Sequence, residues 1–192
     1  MLRNKIIKFL IISGIIWSSI LIFGIVCESL KQSEAEYLFD DYAVDLQELI
    51  LRYNLSKEDQ KWSYCFDTND EIKKLAREME VEEIVKWILK FPYDYSQNRS
   101  TVCQRATVTL QKNKGICSDK AVLVCSIFYE KGLQCYEIAS NKYWHAIALV
   151  YYKNKWRPIL TTGYIDRNNI DDFMNSLFMI SSKQERYFKL LG

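Results

Sequence analysis

A change of sequence pattern at Gly132 constrains the fold more than any other feature of the chain. Before it, apolar residues recur at helical spacing; after it come three short strand-like runs, at 134–139, 143–152 and 155–161. Asn141-Lys142 and Lys153-Asn154 separate these runs as hairpin-type turns. Helices followed by an antiparallel meander are typical of an α+β domain, whereas a parallel sheet requires alternating strands and helices.

Helical periodicity predicts five segments. They lie at about 34–54, at 69–91 as two helices closed by a proline, at 101–112, at 121–129 and at 170–178. The first has acidic residues on its polar faces, and we expect it to form a stalk or a packed extension. The chain accordingly divides into an N-terminal segment (1–28), a helical stalk or extension (29–67) and a domain (68–192).

The N-terminal segment has the length and composition of a transmembrane helix. No charged residue occurs from Phe9 to Cys27, and Arg3, Lys5 and Lys8 precede this run. The positive-inside bias predicts a single-pass signal anchor with a cytoplasmic N-terminus and an extracytoplasmic domain. A cleaved signal peptide, a lipid-modified Cys27 and a buried soluble helix are the alternatives.

Composition argues against several classes of partner and cofactor. A net charge of +2 and a pI near 8.1 give no indication of nucleic-acid binding. With one histidine and no Cys-x-x-Cys pair, neither a metal site nor an organic cofactor is expected. In an exported chain, Cys65 and Cys103 are the first candidates for a disulfide, whereas Cys103, Cys125 and Cys135 are alternatively small buried apolar residues.

Cys117 and His145 are the candidate catalytic residues. Gly115 ends a polar stretch and an apolar helix follows, so that Cys117 falls in its first turn, where the helix dipole favours a thiolate. His145, the only histidine, is the available base. A buried inert thiol and a core histidine are the alternative interpretations.

The order of these motifs resembles the transglutaminase-like superfamily of papain-fold cysteine enzymes. The resemblance runs over roughly 68–166 and rests on Gly115-x-Cys117-x-Asp119 opening a helix, on His145-Ala146 opening a strand, and on the Trp156 strand. It implies a papain-like core in which N-terminal helices precede a cysteine helix packed on an antiparallel sheet. It also implies attack by Cys117 on peptide or amide bonds of a protein or peptide substrate, as a protease, a deamidase or a transglutaminase. The Cys117 N–H and a side-chain donor would hold the oxyanion.

The chain departs from the family at the third catalytic position. The family has an aspartate four residues after the tryptophan, where it orients the histidine; here that position is Leu160. Thr161, Thr162 or Asp166 substitutes for it, or the site is a bare dyad, or the domain is an inactive binding module. We take Asp166 as the candidate third residue, because Asp119 is better explained as a first-turn carboxylate. A structural protein with Cys117 in a disulfide is a further hypothesis.

Overall fold

The domain is built around a four-stranded antiparallel sheet. A computed structural model describes residues 16–27, 29–30, 39, 42–45, 48, 64–96 and 104–181. Three strands, β1 (Cys135–Ser140), β2 (His145–Tyr152) and β3 (Lys155–Ile159), form the predicted meander. The β2–β3 turn places Lys153 and Asn154 at φ 51° and 61°, a left-handed pair that matches the twist of a tight hairpin. The prediction of an α+β fold is confirmed.

Within the described residues from 64 onwards, four helices precede the sheet: α1 (Asp70–Glu78), α2 (Val81–Lys90), α3 (Ala106–Lys112) and α4 (Cys117–Glu130). The side chain of Asn69 caps α1 by accepting the Ile72 N–H at 2.9 Å. Helix α4 is buried along almost its whole length because it lies between the sheet and the other helices. Helix α4 therefore needs apolar residues on all of its sides, and the run 121–128 provides them.

The two faces of the sheet bury different sets of residues. Cys135, Ala148 and Val150 pack in the core that contains α4, whereas Ile138 and Leu149 belong to a second core on the opposite face. That second core includes a short helix, α5 (Ile170–Met174). Alternation of side chains along the strands makes this two-sided burial possible.

The end of the last predicted helix is a strand. We predicted a helix over 170–178, but α5 ends at Met174 and β4 (Leu177–Ser181) then pairs antiparallel with β1, which gives the strand order β3-β2-β1-β4. The prediction was wrong at this point because β1 otherwise has an open edge, and pairing satisfies its backbone groups. Short apolar runs such as the one at 177–181 fit the periodicity of either a helix or a strand.

The segment predicted as one helix over 34–54 is interrupted by an extended stretch. Residues 42–45 are not helical, and the Val44 N–H donates to the Trp156 carbonyl at 3.0 Å, next to the outer strand β3. The Arg157 guanidinium also donates to the Phe39 carbonyl at 2.7 Å, and Phe39 is buried in the core. The continuous helix is therefore wrong at 42–45, where pairing with a sheet edge outweighs local helical preference.

Residues 16–27 form a helical segment whose large apolar side chains are exposed. Within the described ranges, no helix has both the length and the apolar character that crossing a bilayer requires. The first part of the predicted anchor, 9–15, lies outside the described residues.

Two disulfide assignments can be compared with the structure. Cys125 in α4 and Cys135 in β1 form a disulfide, so their interpretation as unpaired apolar residues was wrong. Cys65 is also disulfide-bonded, while Cys103, its predicted partner, lies outside the described residues. Cys117 is a free thiol, which contradicts the hypothesis that it is held in a disulfide.

Candidate functional site

Cys117 is the first residue of α4 and is nearly enclosed. Its side chain is 9% exposed, and the thiol sulfur accepts backbone N–H groups of Ser118 and Ala146. The Ser118 contact arises because the first amides of a helix have no partner within the helix. The Ala146 contact joins the start of α4 to the start of β2.

The turn before Cys117 depends on a close approach that only glycine permits. Asp119 reaches back along the helix, where one carboxylate oxygen accepts the Ile116 N–H at 3.2 Å and the other accepts the Gln104 N–H at 3.2 Å. A Cβ at Gly115 would lie 2.8 Å from the Asp119 Cβ. The Gly-x-Cys-x-Asp motif is thus one packed capping unit, and the first-turn interpretation of Asp119 agrees with it.

His145 begins β2, and the backbone N–H of the next residue, Ala146, donates to the thiol sulfur, so the start of the histidine strand lies against the start of α4. The imidazole is 7% exposed, and its ring lies 5.5 Å from the Tyr164 ring between centroids. Its Nε2 is 3.0 Å from the Thr162 hydroxyl oxygen. That hydroxyl also accepts the Tyr164 N–H at 3.3 Å, which fixes the position of the oxygen.

Of the possible third residues, Thr162 is the one in contact with the imidazole. Asp166 lines the same cleft, but its carboxylate accepts the Asn168 N–H at 2.8 Å, and no hydrogen bond joins it to His145 in the described structure. Thr161 donates instead to the Ala146 carbonyl at 3.0 Å. Leu160 is buried in the core on the α5 face. An orienting role for Asp166 stays a prediction.

Tyr93 covers the thiol from the segment that follows α2. Its hydroxyl hydrogen-bonds to the Cys117 side chain, and its oxygen also accepts the Cys117 backbone N–H. Burial and the adjacent Cys117 sulfur raise the pKa of Tyr93, so its hydroxyl stays protonated. Tyr93 therefore provides a side-chain donor at the position where the backbone N–H of Cys117 points.

A buried cation accompanies the pair. Lys120, one helical turn after Cys117, is 1% exposed and donates to the Phe91 carbonyl at 2.8 Å. Burial lowers the pKa of Lys120 to about 8, so that the ammonium is still largely charged at neutral pH. The sequence analysis missed this residue. The available signal was its place in the sequence: Lys120 directly precedes the apolar run of a helix that was expected to be buried.

Both reacting groups are neutral in this environment at pH 7. Burial raises the pKa of Cys117, although the two N–H donors oppose the shift, and burial together with the Lys120 charge lowers the pKa of His145 to about 4. A resting thiolate–imidazolium pair, which the helix start alone would favour, is therefore not the state that the surroundings stabilise.

The site opens on a cleft of about 1090 Å³. Its walls include Tyr95, Lys120, Trp144, His145 and Tyr164, and the aromatic members Tyr95, Trp144 and Tyr164 are exposed at its rim. Across the described parts of the chain, no group of three or more His, Cys, Asp or Glu side chains is arranged to hold a metal ion. The site thus has an imidazole, a tyrosine hydroxyl and a lysine at the cleft wall, with the Cys117 thiol hydrogen-bonded to Tyr93 behind them.

The match to a protein-family model agrees with the motif order. Residues 65–156 match the model of a family described as the transglutaminase-like domain. A candidate cysteine protease from Cytophaga hutchinsonii has a similar solved structure, with 21% identity and a TM-score of 0.41 over 62% of this chain and 43% of that one. The similarity thus spans less than half of that protein, and no curated protein matches the chain. The predicted resemblance to the transglutaminase-like superfamily is confirmed by the family match over residues 65–156.

Proposed function

We propose that the protein is a membrane-anchored cysteine enzyme that acts on peptide or amide bonds of a protein or peptide substrate through Cys117 and His145. The contact that carries this proposal is the hydrogen bond from the Ala146 N–H to the thiol sulfur, because it holds the helix start and the histidine strand together. A nucleophile and a base on two packed elements need little reorganisation before reaction.

The reaction starts from the neutral pair. For Nδ1 of His145 to accept the thiol proton, Nε2 carries the ring hydrogen and donates it to Thr162. As the proton moves to Nδ1, the sulfur attacks the amide carbonyl carbon. The Cys117 N–H and the Tyr93 hydroxyl then exchange their hydrogen bonds with each other and with the sulfur for bonds to the oxyanion. Collapse breaks the carbon–nitrogen bond, and His145 returns the proton to the leaving amine. The product is a thioester on Cys117.

The thioester is resolved by a second nucleophile. Water gives a carboxylate, which is hydrolysis, and an amine gives a new amide, which is acyl transfer. In either case His145 accepts the proton of the nucleophile and returns it to the sulfur, so that the thiol is restored.

Hydroxylamine provides a test that works whether the natural second nucleophile is water or an amine. The full chain, incubated with glutamine-containing peptides and hydroxylamine, should convert the acyl group into a hydroxamate, and Cys117→Ala and His145→Ala should abolish this product. Cys27→Ala is the matched control, because Cys27 is the other free thiol among the described residues and should keep activity. Hydroxamate formed equally by Cys117→Ala would contradict the proposal.

The anchor forms part of the proposal. The uncharged run from Phe9 to Cys27 and the basic residues before it support a single span with the domain on the outer side. Extraction of membranes at alkaline pH should leave the chain in the membrane fraction. A variant with Ile20→Arg and Leu21→Arg should be released, because each central arginine costs about 3 kcal/mol of insertion free energy. Release of the unmodified chain would contradict the anchor.

One observation favours a second candidate, an inactive transglutaminase-like binding module. A hydroxyl rather than a carboxylate contacts His145, and loss of the orienting carboxylate costs about 10⁴-fold in a well-studied triad enzyme. A binding module would retain peptide affinity in the cleft while forming no hydroxamate, and its affinity would be unchanged by Cys117→Ala.

A further inference from the structure

Lys120 is a buried charge that the proposed reaction leaves unexplained. The side chain is 1% exposed, and its hydrogen bond in the structure is to one backbone carbonyl, that of Phe91 at 2.8 Å. No carboxylate in the described part of the chain forms an ion pair with it. Burial of an ammonium with a single neutral acceptor is costly, so a nearby group that becomes an anion during reaction would offset the cost.

The position of Lys120 identifies that anion. It lies three residues after Cys117 on the same helix, and residues at this spacing share a helix face. It also lines the cleft together with His145. The Cys117 sulfur is the nearby group that becomes negative, both as a thiolate and during attack on a carbonyl.

We propose that Lys120 is a positioning residue that sets the protonation states of the Cys117–His145 pair, by favouring the thiolate and disfavouring the imidazolium. The proposal deepens the proposed function and rests on it. A fixed positive charge beside the imidazole keeps His145 neutral, and hence able to accept a proton, in weakly acidic solution. Below the Lys120 pKa of about 8, the same charge increases the fraction of Cys117 that is thiolate.

Other groups around the pair act in the opposite sense or are neutral. Asp119 on α4 and Glu137 on β1 raise the pKa of Cys117. Tyr93 and Thr162 contribute hydroxyl groups, and Asp166 lies at the cleft wall. Lys120 is thus the cation that offsets the two buried carboxyl groups.

The test uses the single histidine of the chain. Its imidazole C–H proton signal in NMR gives the pKa of His145 without ambiguity, and the rate of Cys117 alkylation at pH 6 to 7, where Lys120 is charged, reports the fraction of thiolate. In Lys120→Met, the pKa of His145 should rise by about 1 unit or more and the alkylation rate should fall about tenfold. Lys120→Arg keeps the charge and should leave both close to their original values. Lys120→Gln, which can still donate to the Phe91 carbonyl, replaces the methionine variant if that one fails to fold.

Lys131 provides a matched control at the other end of α4. It also donates to backbone carbonyls, those of Ala76 and Met79, both at 2.7 Å. Lys131→Met should leave the His145 pKa and the Cys117 alkylation rate unchanged. If either quantity in folded Lys120→Met equals that of the unmodified chain, the proposal is overturned. The NMR titration needs no substrate, so a chain without acyl transfer can still show the shift in the imidazole pKa. Failure of the proposed function can therefore be distinguished from failure of the proposed role of Lys120.

Discussion

Glu137 allows a quantitative prediction for stability. It is 1% exposed in β1, and burial, with a smaller contribution from Asp119, raises its pKa from 4.5 to about 8. The folded protein therefore holds a protonated carboxyl at pH 7, whereas the unfolded chain ionises it. Between pH 4.5 and 8 the folded state binds the additional proton, so the free energy of unfolding falls as pH rises through this range.

Glu137→Gln removes this dependence. Each pKa unit corresponds to about 1.4 kcal/mol, so at pH 7, some 2.5 units above the unfolded value, the variant should be more stable by about 3 kcal/mol. At pH 5 the gain should be under about 1 kcal/mol. The amide adds a contribution that does not change with pH, and the Oε1 atom already lacks a hydrogen-bond partner. The quantity to measure is therefore how much the stability gain of Glu137→Gln over the unmodified chain increases between pH 5 and pH 7.

Urea denaturation of both chains at pH 5, 6 and 7 measures this increase. The exposed Glu78 supplies the control, because Glu78→Gln should change stability by under about 0.5 kcal/mol at each pH. A stability difference between Glu137→Gln and the unmodified chain that stays constant across this range would refute a buried, protonated Glu137.

Two further predictions concern the site. Thr162→Asp places a carboxylate beside Nε2 and should raise the pKa of His145 by about 1 to 3 units in an NMR titration. Thr162→Val is the control and should not raise it. An unchanged pKa in the aspartate variant would show that the side chain does not reach the ring. Gly115→Ala brings a Cβ within 2.8 Å of the carboxylate residue that caps α4 and should cost about 1 to 3 kcal/mol in urea denaturation. Gly24→Ala, where an added Cβ meets nothing within 4 Å, is its control, and an equal effect of the two changes would contradict the packing argument.

Much of the fold follows from local pattern, as α4 and the hairpin show. Gly115 and Gly132 bracket an apolar run, and the structure places α4 between them. Lys153-Asn154 forms the predicted turn because asparagine tolerates positive φ more readily than most residues. By contrast, Leu177 and Val44 pair with strands that are distant in sequence, and no window around either residue contains that information.

The candidate site likewise contains residues that local sequence predicts and residues that only the folded structure reveals. The positions of Cys117 and Asp119 in the first turn of α4 and of His145 at the start of β2 could be predicted, because each residue belongs to a short motif with a chemical reason for its spacing. Thr162 was one of several open possibilities, since only the folded loop decides which side chain reaches Nε2. Lys120 was missed because a lysine is expected at the surface, and its 1% exposure depends on how α4 packs.

The central claim is that Cys117 and His145 act as one unit, and the rate of Cys117 alkylation by iodoacetamide from pH 5 to 9 tests it most directly. Measured in the full chain with Cys27→Ser and located by peptide mass spectrometry, the rate at pH 5 to 7 should exceed that of His145→Ala by about tenfold or more, because the neutral imidazole accepts the thiol proton as the sulfur attacks. In His145→Ala the thiol reacts only as the free thiolate, so its rate should fall about tenfold per pH unit below the thiol pKa. Equal rates in the two chains at every pH would contradict the account.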